Sequence, residues 1–105
     1  MRRLSIVIPA LDEAANLARL LPDLARAGPD AEILVVDAGS RDGTADVVGR
    51  HPRVRLLAAA RGRARQMNAG AATASGDALL FLHADTRLPD GATDAIASAL
   101  ARRGV

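Results

Sequence analysis

Four short apolar segments, separated by stretches with helical character, constrain the fold of this 105-residue chain more than any other feature. They are predicted to form strands over 4–8, 33–36, 54–58 and 79–82. Continuous apolar strands that alternate with helices are typical of a parallel sheet covered on both faces. We therefore predict an α/β protein, a Rossmann-like three-layer sandwich around a mainly parallel sheet of about four strands.

The helices between these strands are predicted from apolar spacing and from residues that begin or end helices. The first helix carries four leucines on one face, Leu17, Leu20, Leu21 and Leu24. Further helices are expected over 44–50, 63–74 and 89–103. Asp12 is a candidate cap for the first helix, which should end at Gly28. Pro9 should stop the first strand, and Pro22 should kink or break the first helix near Leu21, because an interior proline costs a helix about 3 kcal/mol.

The composition restricts the classes of function. All 14 basic residues are arginines, the net charge is only +2, and opposite charges are interspersed, so the chain lacks the basic stripe of a nucleic-acid-binding surface. The absence of cysteine excludes disulfides and thiolate metal sites and agrees with a reducing compartment. The first apolar stretch is too short for a signal peptide or a membrane span. We expect a cytoplasmic protein without a nucleic-acid partner. Peripheral contact with a membrane is an alternative that the sequence leaves open.

Polar or conformationally special residues follow every predicted strand. These segments lie at 9–13, 37–40, 61–63 and 83–85, whereas the opposite ends of the strands have the composition of ordinary turns. Open parallel sheets bind ligands in a crevice beyond the carboxyl ends of their strands. The asymmetry predicts a ligand cleft and places it at the carboxyl edge of the sheet.

His83 and Asp85 are two positions apart on a segment predicted to be extended, so their side chains should point the same way. An imidazole and a carboxylate together can hold a divalent cation. The carboxylate suits Mg²⁺ or Mn²⁺, and the nitrogen ligand favours Mn²⁺. Such a cation would neutralise a diphosphate leaving group. The alternative is structural: a histidine bonded to backbone at the end of a strand and an aspartate that caps the next turn.

Asp37 closes a buried strand, where an acid can accept hydrogen bonds from a base or a ribose. Its alternative role is to cap the turn through Gly39 and Ser40. Asp42 to Thr44 is expected to form only a turn and the start of a helix.

Other charged residues near the strand ends are candidates for ligand contact. Arg61, Arg63 and Arg65 could clamp phosphates because guanidinium groups match phosphate oxygens, although Arg65 suits a solvated helix face equally well. Glu13 could contact a nucleotide, or it could only favour the positive end of its helix.

Four ordered blocks of the sequence resemble family-2 glycosyltransferases. The blocks are Ser5–Glu13, Glu32–Thr44, Gly62–Gly70 and Gly76–Thr86. The resemblance implies a fold of the GT-A type, present here in part, and a nucleotide-diphosphate sugar as the sugar donor. Residues 9–13 then match the wall of the base and ribose pocket, and Asp37 matches the acid that reads the nucleobase. His83-Ala84-Asp85 occupies the place of the metal-binding D-x-D motif.

The resemblance and the strand-end pattern together give one set of expected site residues. The nucleotide of the sugar donor is expected to contact Pro9, Ala10, Leu11, Glu13, Asp37, Gly39, Arg61, Arg63, Asn68 and Ala84. Asp85, with help from His83, is expected to bind the divalent metal, Mn²⁺ or Mg²⁺.

The sequence departs from the usual family pattern at three positions. His83 replaces the first acid of D-x-D, Ala38 replaces the second acid of the usual D-D-G-S block, and Asp12 replaces an asparagine. The first departure bears on which metal binds and how tightly. The H-A-D-T form, with the Gly-Arg-Ala-x-Gln-Met-Asn block, resembles one bacterial branch of the family. Some members of that branch are associated with arsenosugar biosynthesis, and similar sequences are grouped with carotenoid-acid glycosyltransferases.

The resemblance implies that residues 1–105 form the donor-binding half of a glycosyltransferase domain. A further C-terminal half would supply the acceptor platform and the general base, which is expected beyond residue 105. The complete protein would transfer a sugar to a hydroxyl acceptor, with inversion, whereas this half would bind the sugar donor with weak transfer at most. The missing half, or a second copy in a homo-oligomer, would cover the apolar edge of the fourth strand.

Two other functions are consistent with parts of the sequence. A truncated, non-catalytic module that binds a nucleotide or pairs with a partner chain fits the same residues. A methyltransferase fits less well: Val36–Ser40 is similar to a cofactor-binding loop, but that loop usually follows the first strand and contains more glycines.

Overall fold

A computed structural model describes residues 3–28 and 30–88 of the chain. In this part, strands and helices alternate as the sequence predicts. The strands are β1 (Leu4–Ala10), β2 (Glu32–Asp37), β3 (Val54–Ala58) and β4 (Ala78–Phe81), and the helices are α1 (Ala14–Ala27), α2 (Thr44–Gly49) and α3 (Arg63–Thr73). The helix predicted over 89–103 lies outside the described residues.

The four described strands form one parallel sheet in the order β3-β2-β1-β4. The chain moves outwards from β1 through β2 to β3, and then returns to the far side of β1 as β4. The strand order therefore reverses between β1 and β4, where an open α/β sheet offers a crevice for a ligand. The pairing of β1 with β2 continues to Ala10 and Asp37, whereas the pairing of β1 with β4 ends at Val7 and Phe81.

Helices cover both faces of the sheet, since the strand side chains are apolar on both. One face packs against α1 and α2 in a core that contains Ile6, Ile8, Leu17, Leu20, Leu21, Leu24, Ile33, Val35 and Val48. The other face packs against α3 through Val7, Leu34 and Val36. The predicted three-layer α/β sandwich with a parallel sheet is confirmed.

Helix α3 approaches the sheet closely at Gly70. A Cβ atom at this position would lie 2.3 Å from Val7 Cγ1, a distance that real Cβ atoms do not show. Residues around Gly70 on this face are also small, with Ala69 and Ala74 packed against the sheet. The missing side chain lets the backbone of α3 come near β1 and β2, and this approach sets how far the start of α3 stands from the carboxyl edge.

Pro9 lies inside β1, so the prediction that it stops the strand is wrong. Leu82 N–H donates to Val7 C=O at 3.0 Å, which shows that the backbone groups of Val7 face β4. Those of Pro9, two residues later, face the same side, beyond the last β1–β4 pair. The N–H that proline lacks therefore has no partner strand there, and β1 can continue to Ala10.

Helix α1 runs unbroken through Pro22, so a break near Leu21 is wrong, whereas a kink there stays a prediction. The four leucines that flank Pro22 are each at most 1% exposed. Burial of a leucine side chain contributes roughly 1.5–3 kcal/mol, so together they outweigh the cost of about 3 kcal/mol for one interior proline. Packing on the sheet therefore decides the path of this helix.

The start of α1 is held by the loop after β2 and not by Asp12, so the predicted cap is wrong. Glu13 is the N-cap residue, and its side chain makes no capping bond. Instead, Glu13 N–H donates to Thr44 Oγ1 at 3.2 Å, and Ala14 N–H donates to Asp42 Oδ2 at 3.0 Å. The Thr44 hydroxyl, followed by the Ala14 N–H, lowers the pKa of the Asp42 carboxyl. Local sequence could not reveal this cap because it comes from a distant loop.

Strand β4 stands at the edge of the described sheet with one face uncovered. Leu80 and Leu82 pack against the core under α1, but Leu79 and Phe81 are 43% and 40% exposed. Helix α3 packs mainly over β1 and β2. Among the described residues, no helix covers the face of β4 that carries Leu79 and Phe81.

Candidate functional site

A cavity of about 300 Å³ opens at the carboxyl edge of the sheet, between the ends of β1 and β4. Three segments line it: the end of β1 with the loop that follows it, the first turn of α3 and the turn after β4. The lining residues are Pro9, Ala10, Leu11, Glu13, Arg63, Gln66, His83, Ala84 and Asp85. The cavity therefore occupies the point where the strand order reverses, and its volume lies at the lower end for small-molecule sites.

Most residues expected from the sequence come together around this cavity. The expected residues at the end of β1, Arg63 at the start of α3, and the three residues His83 to Asp85 all belong to the lining. The expected residues outside the lining are Asp37, Gly39, Arg61 and Asn68. Asp37 is half-buried, and the other three are exposed.

The opening exists because β1 extends beyond its pairing with β4. Past the bond from Leu82 to Val7, the next position of β1 that faces β4 is Pro9, which has no N–H to donate. The two strands separate there. Ala84, 2% exposed, lies in the wall of the gap, where its small side chain leaves space.

The candidate metal ligands lie in a tight turn, so the prediction of an extended segment is wrong. β4 ends at Phe81, and Thr86 N–H donates to His83 C=O at 3.0 Å. Both His83 and Asp85 still line the same cavity. Their side chains are exposed and form no hydrogen bond with another described residue. Within residues 3–28 and 30–88, no group of three or more metal-ligating side chains occurs.

One wall of the cavity suits an anion. Arg63 is the first residue of α3 and is exposed to the cavity. The first N–H groups of a helix have no partner within the helix and carry partial positive charge. The Arg63 guanidinium adds a full charge to this end. Backbone N–H groups and a guanidinium together match the oxygens of a phosphate.

Asp37 lies at the end of β2, one strand away from the cavity, and caps its own turn. Its carboxylate accepts the N–H groups of Gly39 and Ser40, both at 3.0 Å, and the Ser40 hydroxyl. Gly39 has a φ of 98°, which lets the turn fold back onto the carboxylate. Three accepted bonds leave one of about four acceptor positions of the carboxylate for a ligand.

Asp12 connects this turn to the lining of the cavity. Its N–H donates to Ser40 Oγ at 2.7 Å, and its Oδ1 accepts Arg41 N–H at 2.8 Å. Asp12 has a φ of 55°, a left-handed conformation that aspartate tolerates better than most residues. The Asp37 turn and the loop that carries Leu11 are therefore held as one unit.

Gln66 lines the cavity, although it is absent from the site residues expected from the sequence. Its side chain is 5% exposed, and its amide bonds to the ends of both central strands. The available signal was helical spacing: Gln66 and Gly70 are one turn apart on the buried face of α3. A polar residue on that face had to find partners inside the protein.

A recess of about 150 Å³ adjoins the cavity on the β4 side. It is lined by Pro9, Arg63, Met67, Phe81, Leu82 and His83. Three of these residues, Pro9, Arg63 and His83, also line the larger cavity. A ligand with a charged part in the cavity would have an apolar surface beside it.

Comparison with known proteins places the chain in a family. The family model described as glycosyl transferase family 2 matches residues 5–104. Comparison with curated protein sequences gave no match. None of the helices in the described ranges has the length and apolar character needed to cross a membrane.

Three solved structures have a similar fold. TarS from S. aureus, residues 1–349, is 20% identical with a TM-score of 0.86, and the alignment covers 97% of this chain and 33% of TarS 1–349. The mannosyltransferase PcManGT from Pyrobaculum calidifontis, in complex with GDP-Man and Mn²⁺, is 28% identical with a TM-score of 0.79, covering 94% of this chain and 31% of that one. Glucosyl-3-phosphoglycerate synthase from Mycobacterium tuberculosis, in complex with UDP, is 25% identical with a TM-score of 0.73, covering 84% and 35%.

The chain spans about a third of the length of these three proteins. Its match to the family model, in contrast, extends over nearly all of its own residues. The resemblance noted from four sequence blocks is confirmed, while the assignment to the H-A-D-T branch stays a prediction. The chain belongs to glycosyl transferase family 2.

Proposed function

We propose that residues 1–105 form the donor-binding half of a glycosyltransferase domain and bind the nucleotide-diphosphate part of a sugar donor. The observation that carries the proposal is the cavity at the reversal of strand order. It gathers the cationic Arg63 and the ligand pair His83 and Asp85 around one volume. In the complete enzyme the sugar passes to a hydroxyl acceptor with inversion, and the general base lies beyond residue 105.

The ligands of two relatives support this class of sugar donor. The mannosyltransferase complex contains GDP-Man and Mn²⁺, and the synthase complex contains UDP. Both organic ligands are nucleoside diphosphates or contain one. The part that they share is the diphosphate, which matches the charges around the cavity. We therefore propose a nucleotide-diphosphate sugar without naming its nucleobase.

The spacing of the strands suits a ligand of this length. β1 separates β2 from β4, so the axes of β2 and β4 lie roughly 10 Å apart. In the proposed arrangement the base lies toward Asp37 and Gly39, and the diphosphate lies between Arg63 and Asp85. Residues 9–13 then form the wall along the ribose.

His83 and Asp85 fit a divalent metal that arrives with the diphosphate. Two protein ligands do not complete a coordination sphere, and Mg²⁺ is often held by one or two carboxylates together with substrate phosphates. The His83 nitrogen favours Mn²⁺ over Mg²⁺. When bound, the metal neutralises charge on the diphosphate leaving group. We therefore expect tight metal binding only in the presence of the nucleotide.

Calorimetric titration with UDP-sugars and GDP-sugars in the presence of MnCl₂ tests the proposal. Asp85→Ala should weaken binding at least about ten-fold, because a metal and diphosphate contact worth 1.4 kcal/mol or more is lost. Asp46→Ala is the matched control, since it removes the same charge from an exposed position in α2. Absence of binding by the wild type, or equal binding by Asp85→Ala, would contradict the proposal.

A second candidate is favoured by the exposed apolar face of β4. Leu79 and Phe81 present the kind of surface at which further protein packs. A non-catalytic module that pairs with a partner chain, or with a second copy, would use this face. Sedimentation analysis of wild type and Phe81→Glu separates the candidates: a defined oligomer that the substitution abolishes, without nucleotide binding, favours the module. A cytoplasmic location and peripheral membrane contact stay predictions.

A further inference from the structure

We propose that Gln66 is a positioning residue whose buried amide sets the geometry of the nucleotide cavity. It holds the carboxyl ends of β1 and β2 and the start of α3 at fixed distances from one another. The identity of the ligand in this inference rests on the proposed function. The positioning itself rests on contacts within the described residues.

The hydrogen-bonding capacity of the Gln66 amide is used almost completely inside the protein. Nε2 donates to Ala10 C=O at 3.0 Å and to Val36 C=O at 2.9 Å, and Oε1 accepts Gly62 N–H at 3.3 Å. A primary amide has two N–H donors, and both are therefore engaged. Gln66 cannot donate to a ligand without releasing a strand, so its effect on binding passes through the groups that it holds.

Each of these three hydrogen-bond partners comes directly before a residue with a proposed role in the site. Ala10 lines the cavity and leads into Leu11, Val36 leads into Asp37, and Gly62 leads into Arg63. The bond to Ala10 joins positions 56 residues apart in the sequence. One side chain thus connects the ribose wall, the base end and the phosphate wall of the proposed site.

Only a side chain of this length with two N–H donors can make the three contacts from α3. Asparagine is shorter by one methylene group, and methionine has similar length without donors. The reach also depends on Gly70, one turn further along α3, which allows the helix to approach the sheet. Ala10 C=O keeps a second partner, Ala38 N–H at 3.1 Å, so loss of the amide should loosen the strand ends without unfolding them.

Two substitutions and one control test the inference. Gln66→Met keeps the length and removes all three hydrogen bonds, and Gln66→Glu keeps the shape and removes the N–H donors. Ser75→Ala is the matched control, because it removes one hydroxyl hydrogen bond, to Glu32 Oε2 at 3.1 Å, at the opposite edge of the sheet. Each protein is titrated with UDP and with GDP in MnCl₂, and amide hydrogen exchange is followed over 9–13 and 36–40.

Both Gln66 variants should bind the nucleotide at least about ten-fold more weakly, equivalent to 1.4 kcal/mol. Exchange over 9–13 and 36–40 should accelerate in both, relative to exchange over 32–35. Ser75→Ala should lose thermal stability while its nucleotide affinity and the exchange of both segments stay at wild-type values. This difference between the Gln66 variants and Ser75→Ala distinguishes a positioning role from a general loss of stability.

Lower stability of Gln66→Met with wild-type affinity would assign Gln66 a purely structural role and overturn the inference. Unchanged exchange over both segments would overturn it as well. If the wild type binds neither UDP nor GDP, the proposed function fails, and the exchange rates alone decide whether Gln66 holds the strand ends. Should Gln66→Met not fold, Gln66→Asn supports the same measurements, because it keeps the amide and shortens its reach by one methylene group.

Discussion

The two edges of the same parallel sheet use their polar residues in opposite ways. At the amino edge, Glu32 is 8% exposed, and its carboxylate accepts Ser5 Oγ–H and Ser75 N–H, each at 2.8 Å, and Ser75 Oγ–H at 3.1 Å. At the carboxyl edge, the side chains of His83 and Asp85 are exposed and form no hydrogen bond with other described residues. The amino edge therefore satisfies its buried carboxylate internally, whereas the β4 end of the carboxyl edge leaves the side chains of His83 and Asp85 exposed.

The pKa of Glu32 shows how the amino edge holds a buried charge. Burial alone would raise the pKa of this carboxyl above its ordinary value of 4.5. The backbone N–H of Ser75, the hydroxyls of Ser5 and Ser75, and the charge of Arg3 together outweigh burial and lower it. Arg55 adds an ion pair at 3.7 Å. A buried carboxylate that accepts this many hydrogen bonds has a structural role. Burial therefore distinguishes structural residues from candidate site residues better than charge does.

Glu32→Ala should give the largest effect, and it acts on stability alone. The substitution leaves the Ser75 N–H and the Ser5 hydroxyl without their acceptor, so we expect the free energy of unfolding to fall by about 3 kcal/mol. Urea denaturation measures this loss. Nucleotide affinity should stay within two-fold of the wild type, roughly 0.4 kcal/mol, because the cavity lies at the other edge.

Glu32→Gln is the control for that prediction, since it keeps the shape and one acceptor oxygen and should cost less. A loss of nucleotide affinity in Glu32→Ala as large as that of Asp85→Ala would break the separation between the two edges.

Arg63→Ala should show the reverse pattern, with affinity lost and stability kept. Removal of a guanidinium from the phosphate wall should weaken binding of a nucleoside diphosphate about ten-fold, while the free energy of unfolding changes by about 0.5 kcal/mol or less. Calorimetry and urea denaturation of the same preparations measure both quantities.

Arg61→Ala removes the same charge two residues earlier, from a position outside the lining. The sequence predicted a phosphate contact for both arginines, and the structure places only Arg63 in the cavity wall. Equal loss of affinity in the two variants would show that the binding site is wider than this cavity.

The pH dependence of stability should give the smallest effect. A carboxyl whose pKa is lowered by folding stabilises the protein above about pH 4.5, and this contribution is lost as the pH falls through the lowered pKa. Asp42 acts in the same direction, because its pKa is also lowered. The effect is small since a protonated carboxyl still accepts hydrogen bonds through its carbonyl oxygen.

Urea denaturation at a series of pH values between roughly 6 and 3 measures this contribution. Glu32→Gln should lose less stability than the wild type over that interval. An identical decline in both proteins would mean that Glu32 titrates as an ordinary surface acid, and the contrast between the edges would lose its electrostatic basis.

Patterns in the sequence predict the alternation of strands and helices, the parallel sheet and the edge at which the cavity opens. These features depend on patterns within a few residues: runs of apolar side chains for the strands, the leucine spacing of α1, and polar segments such as 83–85 directly after a strand. The position of Arg63 and of residues 9–13 beside the cavity followed from the same pattern, because the carboxyl ends of parallel strands must share one edge.

Tertiary packing sets which strands adjoin and which polar groups are hydrogen-bonded inside the protein. The placement of β4 beside β1, the cap of α1 by the loop after β2, and the three bonds of Gln66 all join residues that are far apart in the chain. Packing likewise carried α1 through Pro22 against its local preference. Such contacts depend on how whole elements pack, and a residue type at one position does not reveal the partner that folding brings to it.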